Sequence, residues 1–252
     1  MRLTEFDRLL RGMLELDTVA LDDSAMNGLQ VANSRDEAAR VACAVDACLE
    51  SIRRATEWKA DVLFVHHGLF WGEPLALAGG HYRRVRELLA GDCALYAVHL
   101  PLDLHPELGN NAGIARRLGL RAVRPFGEHR GLKIGCQGEF AEPRSLAEVQ
   151  ALLPGARQAL GVLPFGPEAI RTVGIVSGGA ARDALQAIDE RLDLFITGEP
   201  AHTIYHACLE AGINVLFGGH YLTEVWGVKS VGERLAAEHG LQTCFLDVPT
   251  GL

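Results

Sequence analysis

Three short segments of this chain gather side chains that bind metals or move protons. The first is Phe64-Val-His66-His67-Gly68, where an apolar run ends in two adjacent histidines. Adjacent side chains of a regular strand point to opposite faces, so two neighbours do not serve one ion without distortion. At a strand end, with Gly68 free to turn, they can address two neighbouring ions instead. The polar ends of apolar strands are also where open α/β sheets place ligands. Taken alone, the pair reads equally well as exposed histidines capping a strand.

The second segment is Ala97-Val-His99-Leu-Pro-Leu-Asp103-Leu-His105, a strand end running into a loop that Pro101 and Pro106 stiffen. Asn110 and Asn111 are placed to cap the helix that follows. The third is Phe217-Gly-Gly-His220-Tyr-Leu-Thr-Glu224. With a helix starting near Tyr221, His220 and Glu224 stand one turn apart on one side, a spacing from which imidazole and carboxylate converge on a metal. The plain alternatives are an ordinary Asp turn and a solvated helix face. Together the segments supply His66, His67, Asp103, His220 and Glu224, three imidazoles and two carboxylates. That mixed nitrogen and oxygen set suits zinc, iron, manganese or nickel better than calcium or copper(I). Five side chains exceed one tetrahedral ion and suit two ions bridged by a carboxylate.

These residues need a scaffold, and the apolar pattern supplies one. Strands are expected at residues 41–45, 61–66, 94–98, 132–137, 171–177, 192–197, 213–217 and 241–246. Helical spacing runs through Leu3, Phe6, Leu9, Leu10, Met13 and Leu14, and through 47–58, 82–89, 111–118, 146–153, 181–191, 201–211 and 225–239. Such alternation predicts an α/β fold with largely parallel pairing. Residues 153–167, holding Pro154, Pro164 and Pro167, read as a loop or linker.

The halves also resemble each other. Arg40-Val-Ala-Cys-Ala-Val45 leads through a helix to Ala60-Asp-Val-Leu-Phe-Val-His66, as Arg171-Thr-Val-Gly-Ile-Val176 leads through a helix to Leu192-Asp-Leu-Phe-Ile-Thr197. In each half a later histidine is followed four positions on by an acid, His99 with Asp103 and His220 with Glu224. This predicts two related α/β lobes with the metal site in the cleft between strand ends. The expected lobes are 1–124, completed by about 214–252, and 125–213.

Composition narrows the function classes. The chain has 252 residues, 48% hydrophobic and 22% charged, a globular balance that excludes disorder and coiled coil. A net charge of −8 argues against nucleic-acid partners. Six scattered cysteines without a Cys-x-x-Cys pair read as free thiols in a reducing compartment. The first ten residues lack the apolar core of a signal peptide and no run approaches a membrane span, so the expected location is cytoplasmic, with no membrane partner. Phosphate-loop and nucleophile-elbow motifs are absent; Ser177-Gly-Gly reads as a tight turn before an anion nest. Glu199, His202 and His206 share helical spacing, and Trp71 and Trp226 flank the candidate ligands, where they could wall a pocket for a planar base.

Several segments are similar to one family in order along the chain. They are Met26-Asn-Gly-Leu-Gln-Val31, Val65-His-His-Gly-Leu-Phe70, His99-Leu-Pro-Leu-Asp103, Gly109-Asn-Asn111, Thr197-Gly-Glu199 and Gly219-His-Tyr-Leu-Thr-Glu224. The chain thereby resembles the YbgI or Nif-three-like family, whose members are also called GTP cyclohydrolase I type 2 homologues. The resemblance implies a dinuclear centre of divalent transition-metal ions on His66, His67, Asp103, His220 and Glu224, with Glu224 bridging. His99 would be a nearby proton shuttle. It further implies a toroidal homohexamer with metal sites facing an inner cavity; the chain lacks the central insertion of longer members. The expected chemistry is metal-dependent hydrolysis, with the family label pointing to GTP as a small-molecule substrate whose imidazole ring would be opened. The alternatives are a phosphoesterase or amidohydrolase, a metallochaperone, or a ring-shaped scaffold or regulator.

Overall fold

Buried apolar runs become strands here because helices cover them, and the amphipathic segments become those helices. The computed structural model describes residues 1–17, 23–153 and 161–252. Its strands are β1 (Gly28–Val31), β2 (Arg40–Asp46), β3 (Val62–His67), β4 (Ala94–Ala97), β5 (Arg121–His129), β6 (Leu132–Arg144), β7 (Gly161–Pro164), β8 (Ile170–Ile175), β9 (Leu194–Thr197), β10 (Asn214–Phe217) and β11 (Gln242–Phe245). Its helices are α1 (Leu3–Met13), α2 (Leu49–Glu57), α3 (Gly79–Ala90), α4 (Leu100–Leu104), α5 (Asn110–Leu118), α6 (Leu146–Leu152), α7 (Ala184–Asp189), α8 (Tyr205–Ala211) and α9 (His220–His239).

Two compact units divide the chain: Met1–Leu102 with Gly227–Val248, and Asp103–Trp226 with Pro249–Leu252. The limits expected near 124 and 213–214 both fall inside the second unit. There α5 shares a core with the second sheet, through Ile114 and Leu118 with Ile170, Val173 and Leu194.

The first unit holds a sheet of order β1-β4-β3-β2-β11. Its pairs are parallel except β1 with β4. Val41–Val45 and 62–66 are buried throughout, the continuous apolar reading of parallel strands covered on both faces. Helix α1 buries Leu3, Phe6 and Leu10 at helical spacing; each of the larger side chains contributes about 1.5–3 kcal/mol.

The second unit holds a sheet of order β5-β6-β8-β9-β10-β7. Only β8-β9 and β9-β10 pair in parallel, so this sheet is mixed and not largely parallel as expected. Strand β7 lies where a loop was expected; Pro164 is tolerated because β7 is an edge strand. Residues 154–160 of that expected loop lie outside the described residues. Strand β5 is exposed from Arg121 to Pro125 and has no apolar alternation to announce it. Backbone pairing with β6 holds it.

The internal similarity has a structural counterpart. Asp61 accepts from the amides of Ala39 and Arg40, each at 2.9 Å, at the entry to β2. Asp193 accepts from the amides of Arg171 and Thr172 at 2.9 and 2.8 Å, around the start of β8. Each aspartate leads one parallel strand and ties down the start of its neighbour. All six cysteines are free. Among the described residues no helix is long and apolar enough to cross a membrane.

Candidate metal centre

In the first unit, β3 carries His66 and His67 as its last two residues. Their rings are 4.6 Å apart despite the alternation of a regular strand. The imidazole of His99, just beyond β4, lies 5.0 Å from the His66 ring and 5.6 Å from that of His67. One ligand nitrogen from each of the three lies within 4.8 Å of the others.

Each ring is held through Nδ1. His66 Nδ1 is 3.0 Å from the carbonyl oxygen of Val98. His67 Nδ1 is 2.8 Å from Oδ1 of Asp46, its register partner on β2. His99 Nδ1 is 3.0 Å from Oδ1 of Asp23. Carbonyl and carboxylate oxygens only accept, so Nδ1 donates in each case and Nε2 takes the ligand or base role.

The chain leaves β3 along a fixed path. Gln30 accepts from the amide of Leu69 at 2.7 Å and donates to the carbonyl of Met26 at 2.8 Å. Gly68 does not adopt a positive φ, so its role is space and not the turning freedom expected of it. A Cβ there would lie 2.7 Å from that of Ala97 and collide with the Gln30 amide. Trp71 donates from Nε1 to the Gly68 carbonyl at 3.1 Å and sets its indole 5.0 Å from the His99 ring, partly exposed. Trp226 is instead a packing residue, pressed against Gly113 in the second unit's core.

In the second unit, Asp103 sits in α4, a short helix where a loop was expected. Pro101 is compatible with it because the first helical turn needs no proline N–H. The buried carboxylate accepts at Oδ1 from Asn110 Nδ2 at 2.8 Å and from Ser177 Oγ at 2.9 Å. Asn111 donates to the Asp103 carbonyl at 3.1 Å and accepts from the Ser177 amide at 2.8 Å. The two asparagines therefore clamp Asp103 rather than cap α5, whose N-cap is Gly109.

Helix α9 begins at His220 itself. His220 Nδ1 is 2.6 Å from Oε1 of Glu199, and its Nε2 is 3.1 Å from Oε2 of Glu224, one turn on. The Glu224 hydrogen bond, opposed by burial and reinforced by Glu199, raises the His220 pKa to about 9. Glu224 is buried, with a carboxylate oxygen within 4.8 Å of one on Asp103. After β8 the chain bends at Gly178-Gly179, and Gly178, at φ 67°, lies against Glu224 and leaves no room for a side chain. Its amide donates to Thr223 Oγ1 at 3.0 Å. Glu199 thus serves His220, whereas His202 and His206 are exposed.

Each unit therefore gathers its share of the expected residues: His66, His67 and His99 in one, Asp103, His220 and Glu224 in the other. Sequence reasoning missed the groups that orient them, Asp23, Asp46, Asn110 and Ser177. For Asn110 and the Ser177 segment the sequence points to other roles, a helix cap and a turn.

The whole chain has known relatives. A family model described as Duf34/NIF3 (NGG1p interacting factor 3) matches residues 1–250. A protein of Archaeoglobus fulgidus named GTP cyclohydrolase 1 type 2 homolog is 44% identical over 252 residues, covering 100% of both chains. A Treponema pallidum protein of the same name is 44% identical, covering 98% of this chain and 99% of its own. Among solved structures, protein ybgI, described as of unknown function, superposes with a TM-score of 0.91 at 33% identity over 100% of both chains. A Thermus thermophilus protein does so with 0.88 at 41% identity, again over 100% of both chains.

Proposed function

Because the chain belongs to the Duf34/NIF3 family, we propose that it is a metal-dependent hydrolase whose two divalent transition-metal ions are held by His66, His67, Asp103, His220 and Glu224. The observation that carries this reading is the common anchoring of the histidines. His66, His67, His99 and His220 each engage an acceptor through Nδ1, at 3.0, 2.8, 3.0 and 2.6 Å. Carboxylate or carbonyl partners on Nδ1 are the usual outer support of metal-binding imidazoles; they fix the ring and raise its basicity. The carboxylates fit as well: Asp103 is oriented by two donors, and Glu224, in α9, is buried against Gly178, where there is no room for a side chain.

When bound, such ions supply Lewis acidity and lower the pKa of water. The chain's own residues do the rest. Asp46 and Glu199 set the rings of His67 and His220, and Asn110 with Ser177 sets the carboxylate of Asp103. His99 accepts and returns a proton beside the ligands. Trp71 lends a partly exposed aromatic surface next to His99, compatible with a planar heterocycle. GTP, opened at its imidazole ring with release of formate, is the first substrate to test, on the strength of the name its relatives carry.

The test has two stages. Elemental analysis after gentle, metal-supplemented purification is expected to find up to two transition-metal ions per chain, and His66→Ala, Asp103→Ala and Glu224→Ala to lose them while folded. Wild-type metal content in all three variants overturns the assignment. Metal-reconstituted protein is then screened on GTP and other nucleotides, following formate and phosphate separately. No turnover in any metal form replaces the hydrolase reading with a metal-binding scaffold.

A further inference from the structure

The segment Met26-Asn-Gly-Leu-Gln-Val31 carries no ligand, yet it and the residue three places before it converge on His99. Asp23 is the reason. Its side chain is 3% exposed, against 34% for Asp46 and 48% for Glu199, the carboxylates that hold His67 and His220. A carboxylate so buried is costly unless its oxygens are occupied by donors. Here they are. Oδ1 accepts from His99 Nδ1 at 3.0 Å and from the Ala25 amide at 2.9 Å. Oδ2 accepts from Asn27 Nδ2 at 3.0 Å and from the Leu100 amide at 3.2 Å. Asn27 closes the clamp by accepting from the His99 amide at 2.7 Å. Burial alone would raise the Asp23 pKa, but the hydrogen bonds from His99, Asn27 and Ala25 outweigh it and lower it to about 2.

From this geometry we infer that Asp23 is a positioning residue that holds the His99 imidazole as its Nδ1–H tautomer, making Nε2 the one atom through which His99 exchanges protons. The inference rests on the proton-transfer role given to His99 above and deepens it. An ionised carboxylate saturated by four donors has no proton to offer, so the shared hydrogen stays on Nδ1. A proton taken up at Nε2 makes the imidazolium, whose charge Asp23 offsets at 3.0 Å, and the same proton leaves again from Nε2. Because Asn27 and two backbone amides bind the same carboxylate, the ring cannot turn without breaking a four-donor network.

Neutron diffraction on deuterium-exchanged crystals of the full chain, metal-free and about two pH units above the ordinary imidazole value of ~6.5, reads this directly. The expected wild-type result is a deuteron on Nδ1 of His99 facing Asp23, and none on Nε2. A deuteron on Nε2, with or without one on Nδ1, overturns the inference, and this result needs no variant to fold. Asp23→Asn puts one acceptor and one donor where four donors converged. The imidazole is the partner able to turn acceptor without giving up another bond, since flipping Asn27 would set its NH2 against the His99 amide, so the amide NH2 is expected to face the imidazole and the deuteron to move to Nε2. A variant that keeps the wild-type deuteron position also overturns it. Zinc content is measured on the same proteins after loading. Wild type without zinc defeats the metal reading and leaves the tautomer result standing.

Discussion

The hydroxyl of Ser177 donates to Oδ1 of Asp103 at 2.9 Å, across 74 positions of sequence. Asn110 donates to the same oxygen, so the carboxylate is aimed by two groups. Loss of an outer partner of this kind typically costs 10–100-fold in metal affinity. Ser177→Ala is expected to weaken zinc binding by about tenfold or more while thermal unfolding changes little, because Asn110 still satisfies the buried oxygen. A competition titration against a chelator checks it; unchanged affinity would remove Ser177 from the site.

Glu224→Gln separates charge from shape. The amide keeps the volume beside Gly178 but removes a negative charge from the proposed ligand set. Any hydrolytic activity is expected to fall by at least about a hundredfold, the scale of lost electrostatic stabilisation. His99→Ala is expected to lose much more activity than metal, since its role is proton transfer. Equal turnover in wild type and Glu224→Gln argues against catalysis at this site.

Gly68→Ala tests whether the path out of β3 is fixed by packing. The new methyl would crowd Ala97 at 2.7 Å and the Gln30 amide, an overpacking that costs about 1–3 kcal/mol. Chemical denaturation is expected to show that loss, with metal content reduced alongside because His66 and His67 precede the displaced turn. Wild-type stability would mean that the loop yields without penalty.

Asp23 also predicts a pH dependence. Its folded pKa, about 2, lies below the ordinary 3.8. Its contribution is therefore fully present above the unfolded value and is lost as pH falls from ~4 through ~2. At about 1.4 kcal/mol per pKa unit, the full linkage is on the order of 2 kcal/mol. The stability gap between wild type and Asp23→Asn is expected to narrow as pH falls below about pH 4; a constant gap from about pH 4 down to about pH 2 would contradict the low value.

Assembly is the remaining expectation. A closed homohexamer of about six times 27.2 kDa is expected in solution. Light scattering coupled to size exclusion decides it, and a monomer at micromolar concentration rules out the ring.

The sequence determined what is local. His66 and His67 are neighbours in the chain, and His220 with Glu224 needs only one turn of helix, so residue type and spacing were enough to pick them out. The buried parallel strands were legible too, because a strand covered on both faces writes a continuous apolar run. Edge strands β1, β5 and β7 were not, since backbone bonds to a partner hold them and leave no pattern in their own side chains. The orienting groups were hidden for the same reason. Asp46 meets His67 over 21 positions, Asp23 meets His99 over 76, and Ser177 meets Asp103 over 74. A single buried hydrogen bond has no periodicity, so only the packed tertiary structure decided which of the chain's 32 acidic residues hold histidines and which face water.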